Sequence, residues 1–78
     1  GKPVNVDTIA LMDVLAKMAA GTATDIERDG HSAQQTASWV GQIVAREKKS
    51  GKLKLAYTVR RVNGSTVRIW AFTPKGGR

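Results

Sequence analysis

Between Ser32 and Lys49 the chain repeats amide and hydroxyl side chains at helical spacing. Gln34, Gln35, Ser38 and Gln42 pass into Arg46 and Lys49. On a helix these positions share the arc opposite the apolar one, and no acid falls among them. A glutamine amide can bond adenine N6 and N7 together, while Arg and Lys can bond guanine or a phosphate. A second basic group follows, with Lys52, Lys54, Arg60, Arg61 and Arg68. Cations crowded near a tight turn suit phosphate or minor-groove contact. The plainer roles are a solvated polar helix face and charges that keep an edge strand from aggregating.

Other chemistries find little support. Asp25, Glu27 and Asp29 are clustered, but no histidine, cysteine or metal-ligand spacing accompanies them. They read as helix N-terminal charge and surface, so no catalytic residue is assigned and no enzyme is expected. There is no cysteine, and the one histidine, His31, cannot form a His-rich metal site alone. His31 reads as an exposed turn residue within reach of a phosphate. No cofactor and no metal are expected. No apolar run approaches the roughly 20 residues that cross a bilayer, so no membrane partner is expected and the chain reads as soluble and cytoplasmic.

The charge is unevenly placed. Residues 1–45 are net −2, whereas residues 46–78 carry ten basic side chains against Glu47 alone, within an overall net charge of +7. Such asymmetry points to a polyanionic partner, since a merely solubilising surface mixes both signs. Seventy-eight residues make one domain with a small core. Gly1 in place of an initiating methionine reads as a piece of a longer protein.

Residues 1–6 form an arm or short strand. Asp7 is a good N-cap for a first helix through Ala19, ended by Gly21. On it, Ile9, Met12, Ala16 and Ala19 make one apolar face, and Leu11, Val14, Leu15 and Met18 cover most of the rest. A helix so apolar is either central to the fold or shared with a second copy in a homodimer. Thr22 or Thr24 can cap a short second helix around Asp25–Arg28. Ser32-Ala33-Gln34-Gln35 matches a capping box and opens a third helix from Ala33 to about Lys48. From Leu53 the period becomes two, and Asn63-Gly64 signals a two-residue hairpin. In that register Tyr57 opposes Trp70 and Leu55 opposes Phe72, facing the helices. Arg61 then opposes Thr66, and Arg68 opposes Val59. Trp39, on the flank of the third helix, packs against the first strand or the hairpin. Residues 75–78 form a frayed tail.

In this order and length the chain resembles a winged helix-turn-helix domain, over about residues 7–74. The resemblance rests on Thr24-Asp25-Ile26, Gly30-His31-Ser32, the helix bearing Val40 and Ile43, Gly51-Lys52-Leu53 and the Asn63-Gly64 turn. Glu27 after the apolar anchor Ile26, and the early Gly30, depart from that pattern and shorten the second helix. The resemblance implies an α+β, mainly α fold in one domain, with three helices over 7–50 and a β-hairpin wing over 52–74. It also implies double-stranded DNA as partner, in transcriptional or phage and plasmid regulation, with the third helix in the major groove and the wing on the backbone or minor groove.

Under this reading Gln34, Gln35, Ser38 and Gln42 read bases. Ser32, Arg46, Lys49, Lys54, Arg60, Arg61 and Arg68 contact phosphates, from one continuous basic rim. Two alternatives stand beside it. One is a winged-helix protein-interaction module. The other is an RNA or single-strand binder, in which Tyr57, Trp70 and Phe72 face outward rather than into the core.

Overall fold

A computed structural model describes residues 3–74. The element order is β1 (Val4–Asn5), α1 (Thr8–Lys17), β2 (Ala23–Glu27), α2 (Ala33–Lys49), β3 (Ala56–Arg61) and β4 (Thr66–Phe72). The strands form one mixed sheet in the order β1-β2-β4-β3, in which β1 runs parallel to β2 and the other pairs are antiparallel. Leu11 and Leu15 of α1, and Val40 and Ile43 of α2, are buried with Ile26, Val67 and Ile69 of the sheet. Both helices therefore cover one face of the sheet. The fold is α+β with two helices and four strands, not a three-helix winged domain.

Local chemistry explains each end of the helices. The Asp7 carboxylate accepts from the Ala10 amide at 2.8 Å, capping α1. That helix stops at Lys17, two residues before the expected end, because Met18 is already extended. Gly21, at φ +87°, instead turns the chain into β2. The Gly21 amide donates to the Ala71 carbonyl, and the Ala71 amide donates to the Thr22 carbonyl. Helix α1 buries its Leu11 and Leu15 side, with Val14 and Met18 packed beside them. Ile9, expected on a main apolar face, is 80% exposed. On α2 the capping box forms in full, with Gln35 Oε1 accepting from the Ser32 amide and Ser32 Oγ from the Gln35 amide. Ser50 and Gly51, at φ +83°, close it.

The short second helix is absent, and its residues form β2. Thr24 and Ile26 alternate with Asp25 and Glu27, and Ile26 is fully buried between β1 and β4. The two acids are cross-strand partners rather than helix N-terminal charge. Arg68 Nε and Nη2 donate to the two carboxylate oxygens of Asp25 at 2.7 and 3.1 Å. Thr66 Oγ1 donates to Glu27 at 2.7 Å. A four-residue helix cannot repay its own nucleation, whereas the strand gains ladders on both sides.

The hairpin is shifted by one residue from the expected register. Tyr57 pairs with Ala71, Thr58 with Trp70, Arg60 with Arg68 and Arg61 with Val67. The shift comes from the loop, which holds three residues because the Val62 amide donates to the Thr66 carbonyl. Asn63 Oδ1 accepts from the Ser65 and Thr66 amides, each at 2.9 Å. Neither Asn63 nor Gly64 takes the positive φ of a type I′ turn. A one-residue slip turns the side chains of β4 to the other face relative to those of β3. Tyr57 keeps its expected place toward the helices, where its hydroxyl donates to the Leu15 carbonyl at 2.7 Å. Burial pushes its ionisation above the ordinary value near 10.0. Trp70 and Phe72, expected in the core, lie on the open face of the sheet.

The hairpin tip is not a free wing. The Ala33 amide, in the first turn of α2, donates to the Gly64 carbonyl at 2.9 Å. One of the helix's orphan N–H groups thus holds the tip in place. The expected tail at 75–78 and the start of the expected arm lie outside the described residues.

Candidate nucleic-acid interface

Helix α2 rests on the sheet through Ala33, Thr36, Val40, Ile43 and Glu47. Its opposite arc therefore points away from the protein. Gln34, Gln35, Ser38 and Gln42 are all exposed there. Together with Ser32, Arg28 and Trp39 they line one shallow depression. Gln35 is partly committed, because its carbonyl oxygen caps the helix. Gln34, Ser38 and Gln42 make no side-chain hydrogen bond among the described residues. Arg28, which follows β2, lies with its guanidinium 4.1 Å from the centre of the Trp39 ring. This cation–π contact fixes a positive group at the edge of the amide row. Sequence reading missed the pair, because nothing in the chain brings position 28 to position 39 until β2 is laid beside α2.

The C-terminal end of α2 is the most basic part of the molecule. Arg46, Lys48, Lys49, Lys52 and Lys54 fall within nine residues, and Glu47 is the one acid among them. Glu47 is only 5% exposed. Arg46 Nε donates to it at 3.1 Å, and the Lys52 ammonium lies 3.8 Å away. Lys48, Lys49 and Lys54 are exposed and form no ion pair among the described residues. The lysines at the helix end also suit the negative end of its dipole.

The expected continuous rim does not form. Arg60 and Arg68 lie on the open face of the sheet, on the side opposite the helices. Arg61 pairs with buried Val67 and so belongs to the helix-facing side of β3. The arginines assigned to a wing are thus divided between two faces. The glutamine row points away from Arg60 and Arg68.

On the open face Arg68 is clamped bidentately by Asp25 and sits 5.8 Å from the Trp70 ring centre. The hydrogen bond from Arg68 lowers the Asp25 pKa below its ordinary 3.8, and Coulomb attraction to the same guanidinium adds to it. A depressed carboxylate stabilises the fold above its ordinary value and loses that contribution as pH falls through the lowered one. An NMR pH titration should place the Asp25 carboxyl midpoint below 3.8. Asp25→Asn should flatten the acid limb of the stability curve. A midpoint at or above the ordinary value would mean that the clamp does not hold in solution.

Among the described residues no group of His, Asp or Glu is placed to hold a metal ion. No helix is long and apolar enough to cross a membrane. Comparison with known proteins finds no matching family model, no matching curated protein and no matching solved structure. The site must be read from its own chemistry.

Proposed function

We propose that the protein binds double-stranded DNA along the outer face of α2. The observation that carries this reading is the composition of that face. It is exposed and acid-free, with amides at one end, and it passes into three lysines that form no ion pair among the described residues. A B-DNA major groove about 12 Å wide admits an α-helix. Seventeen residues give α2 a length of roughly 25 Å. From Gln34 to Gln42 the helix rises about 12 Å, which is enough to address three or four base steps. Gln34 and Gln42 read base edges and Ser38 adds a hydroxyl between them. Arg28, Arg46, Lys48, Lys49 and Lys54 meet phosphates. The wing contact expected from the sequence has no part in this geometry, because the hairpin tip is bonded to the helix.

Selection from a random duplex library, followed by anisotropy titrations, tests the reading. Gln34→Ala and Gln42→Ala should each reduce the preference for the selected sequence by about 5- to 150-fold, the range of one bidentate base contact. Their affinity for random duplex should stay close to the parent's. Gln35→Ala should act chiefly on stability, because its oxygen caps α2. Affinity independent of salt would exclude phosphate contact and with it this function.

A further inference from the structure

The one-residue shift of the hairpin builds a second surface. Side chains that are direct antiparallel partners lie on the same side of a sheet, so the open face can be read in rows. Asp25, Arg68 and Arg60 make one row. Ala23, Trp70 and Thr58 make the next, and Phe72 and Ala56 the third. Trp70 thus has a small residue on each side, and its ring, with the Arg68 guanidinium 5.8 Å from its centre, is only half-buried. Phe72 is 42% exposed. Thr58, Arg60, Trp70 and Phe72 line one depression, with Gly21 at its rim. A Cβ built on Gly21 would meet nothing within 4 Å, so the rim is open.

We propose that this face is a second binding site, for an unpaired nucleic-acid strand. Trp70 and Phe72 are two residues apart on β4, which spaces them about 7 Å along the strand. That distance lets successive bases each meet one ring. Aromatic stacking needs the flat face of a base, which a duplex hides within its own stack. Arg60 is exposed and has no acidic partner among the described residues, so it is free to take a phosphate. Arg68 plays a different part. Held by Asp25 and set beside the indole, it fixes the Trp70 end of the platform. The preference for an unpaired polyanion over an apolar partner follows from this mixture. Two rings lie beside a row that holds two guanidiniums, and only Arg68 is paired with a carboxylate among the described residues.

This proposal stands apart from the duplex reading, and the two fail separately. With Trp39→Phe as background, Trp70 is the remaining tryptophan, and its emission reports the sheet face directly. Titration with an oligothymidylate should quench that emission, and a blunt duplex should quench it far less. Phe72→Ala should weaken oligothymidylate binding by about 5- to 150-fold, the range found on removing one stacking ring. Arg60→Ala should lower the salt slope by about 0.7, the share of one single-strand phosphate. Circular dichroism checks that each variant is folded. Changing Lys48, Lys49 and Lys54 to Ala should leave the quenching in place while lowering duplex affinity by about 500-fold. Unquenched Trp70 in a saturated complex would overturn the proposal. So would an unchanged affinity in Phe72→Ala, or loss of single-strand binding in the lysine variant. Each of these results would place the strand elsewhere.

Discussion

Replacing Lys48, Lys49 and Lys54 together by alanine is expected to cut duplex affinity about 500-fold at about 0.1 M salt. The figure follows from counterion release. Each neutralised phosphate adds about −0.9 to the slope of log affinity against log salt, so each is worth about 0.9 of a decade at that salt. With all three lysines gone the deficit is about 2.7 decades, and the slope itself should fall by about 2.7. These lysines are chosen because Glu47 already engages Arg46 and approaches Lys52. A cation held by a carboxylate gains less from a phosphate than one that faces only water. The three lysines are exposed, so the substitutions should cost little folding free energy beyond the helix-dipole contribution of Lys48 and Lys49, about 0.3–1 kcal/mol each. Thermal melts beside the binding curves separate the two effects. Arg60→Ala supplies the contrast, since Arg60 is on the far side of the sheet. It should leave duplex affinity within about threefold of the parent's, far below the full decade a phosphate contact carries. If Arg60 matters as much as the lysines do, the duplex does not lie along α2.

The parts of the fold legible in the sequence are those that short-range chemistry decides. Asp7 caps α1 through an amide three residues away, and Ser32 with Gln35 caps α2 over the same span. The exposure of Gln34, Ser38 and Gln42 follows from helical period alone. What could not be read is what distant residues decide. Thr24-Asp25-Ile26-Glu27 suits a helix's first turn in composition. It becomes β2 because Arg68 and Thr66, about forty positions later, supply partners for the two acids. Asn63-Gly64 is a strong turn signal, and a turn does form there. Its length is set by the Asn63 side chain bonding two following amides, and the tip is held by Ala33. Neither bond is visible in the dipeptide. The same holds at the candidate site. The amide row was legible, but Arg28 against Trp39 and the outward-facing Trp70 were not, since both depend on which strand lies beside which.

Ile69→Ala should destabilise the protein by about 2–5 kcal/mol, the usual cost of emptying a buried aliphatic site. Ile69 is fully buried, and in mid-sheet it pairs with Thr24 on one side and Val59 on the other. For a domain this small, whose whole stability is about 4–12 kcal/mol, the loss leaves a large unfolded fraction near the lower end. The melting temperature should fall by about 8–40 °C. Trp70→Ala removes a larger side chain yet should cost less, about 1–2 kcal/mol, since its ring is half-buried and its cation–π contact with Arg68 adds only about 0.5–1 kcal/mol. The two substitutions sit side by side on β4, so their order reports the parity of the strand. In the register that a two-residue Asn63-Gly64 loop would impose, Trp70 faces the helices and Ile69 faces water, and the order of the two costs reverses. Urea unfolding of both variants decides between them. The outcome reaches beyond stability, because the parity that buries Ile69 also turns Trp70, Phe72 and Arg60 outward. A strand that hid its tryptophan could offer no stacking surface to a base.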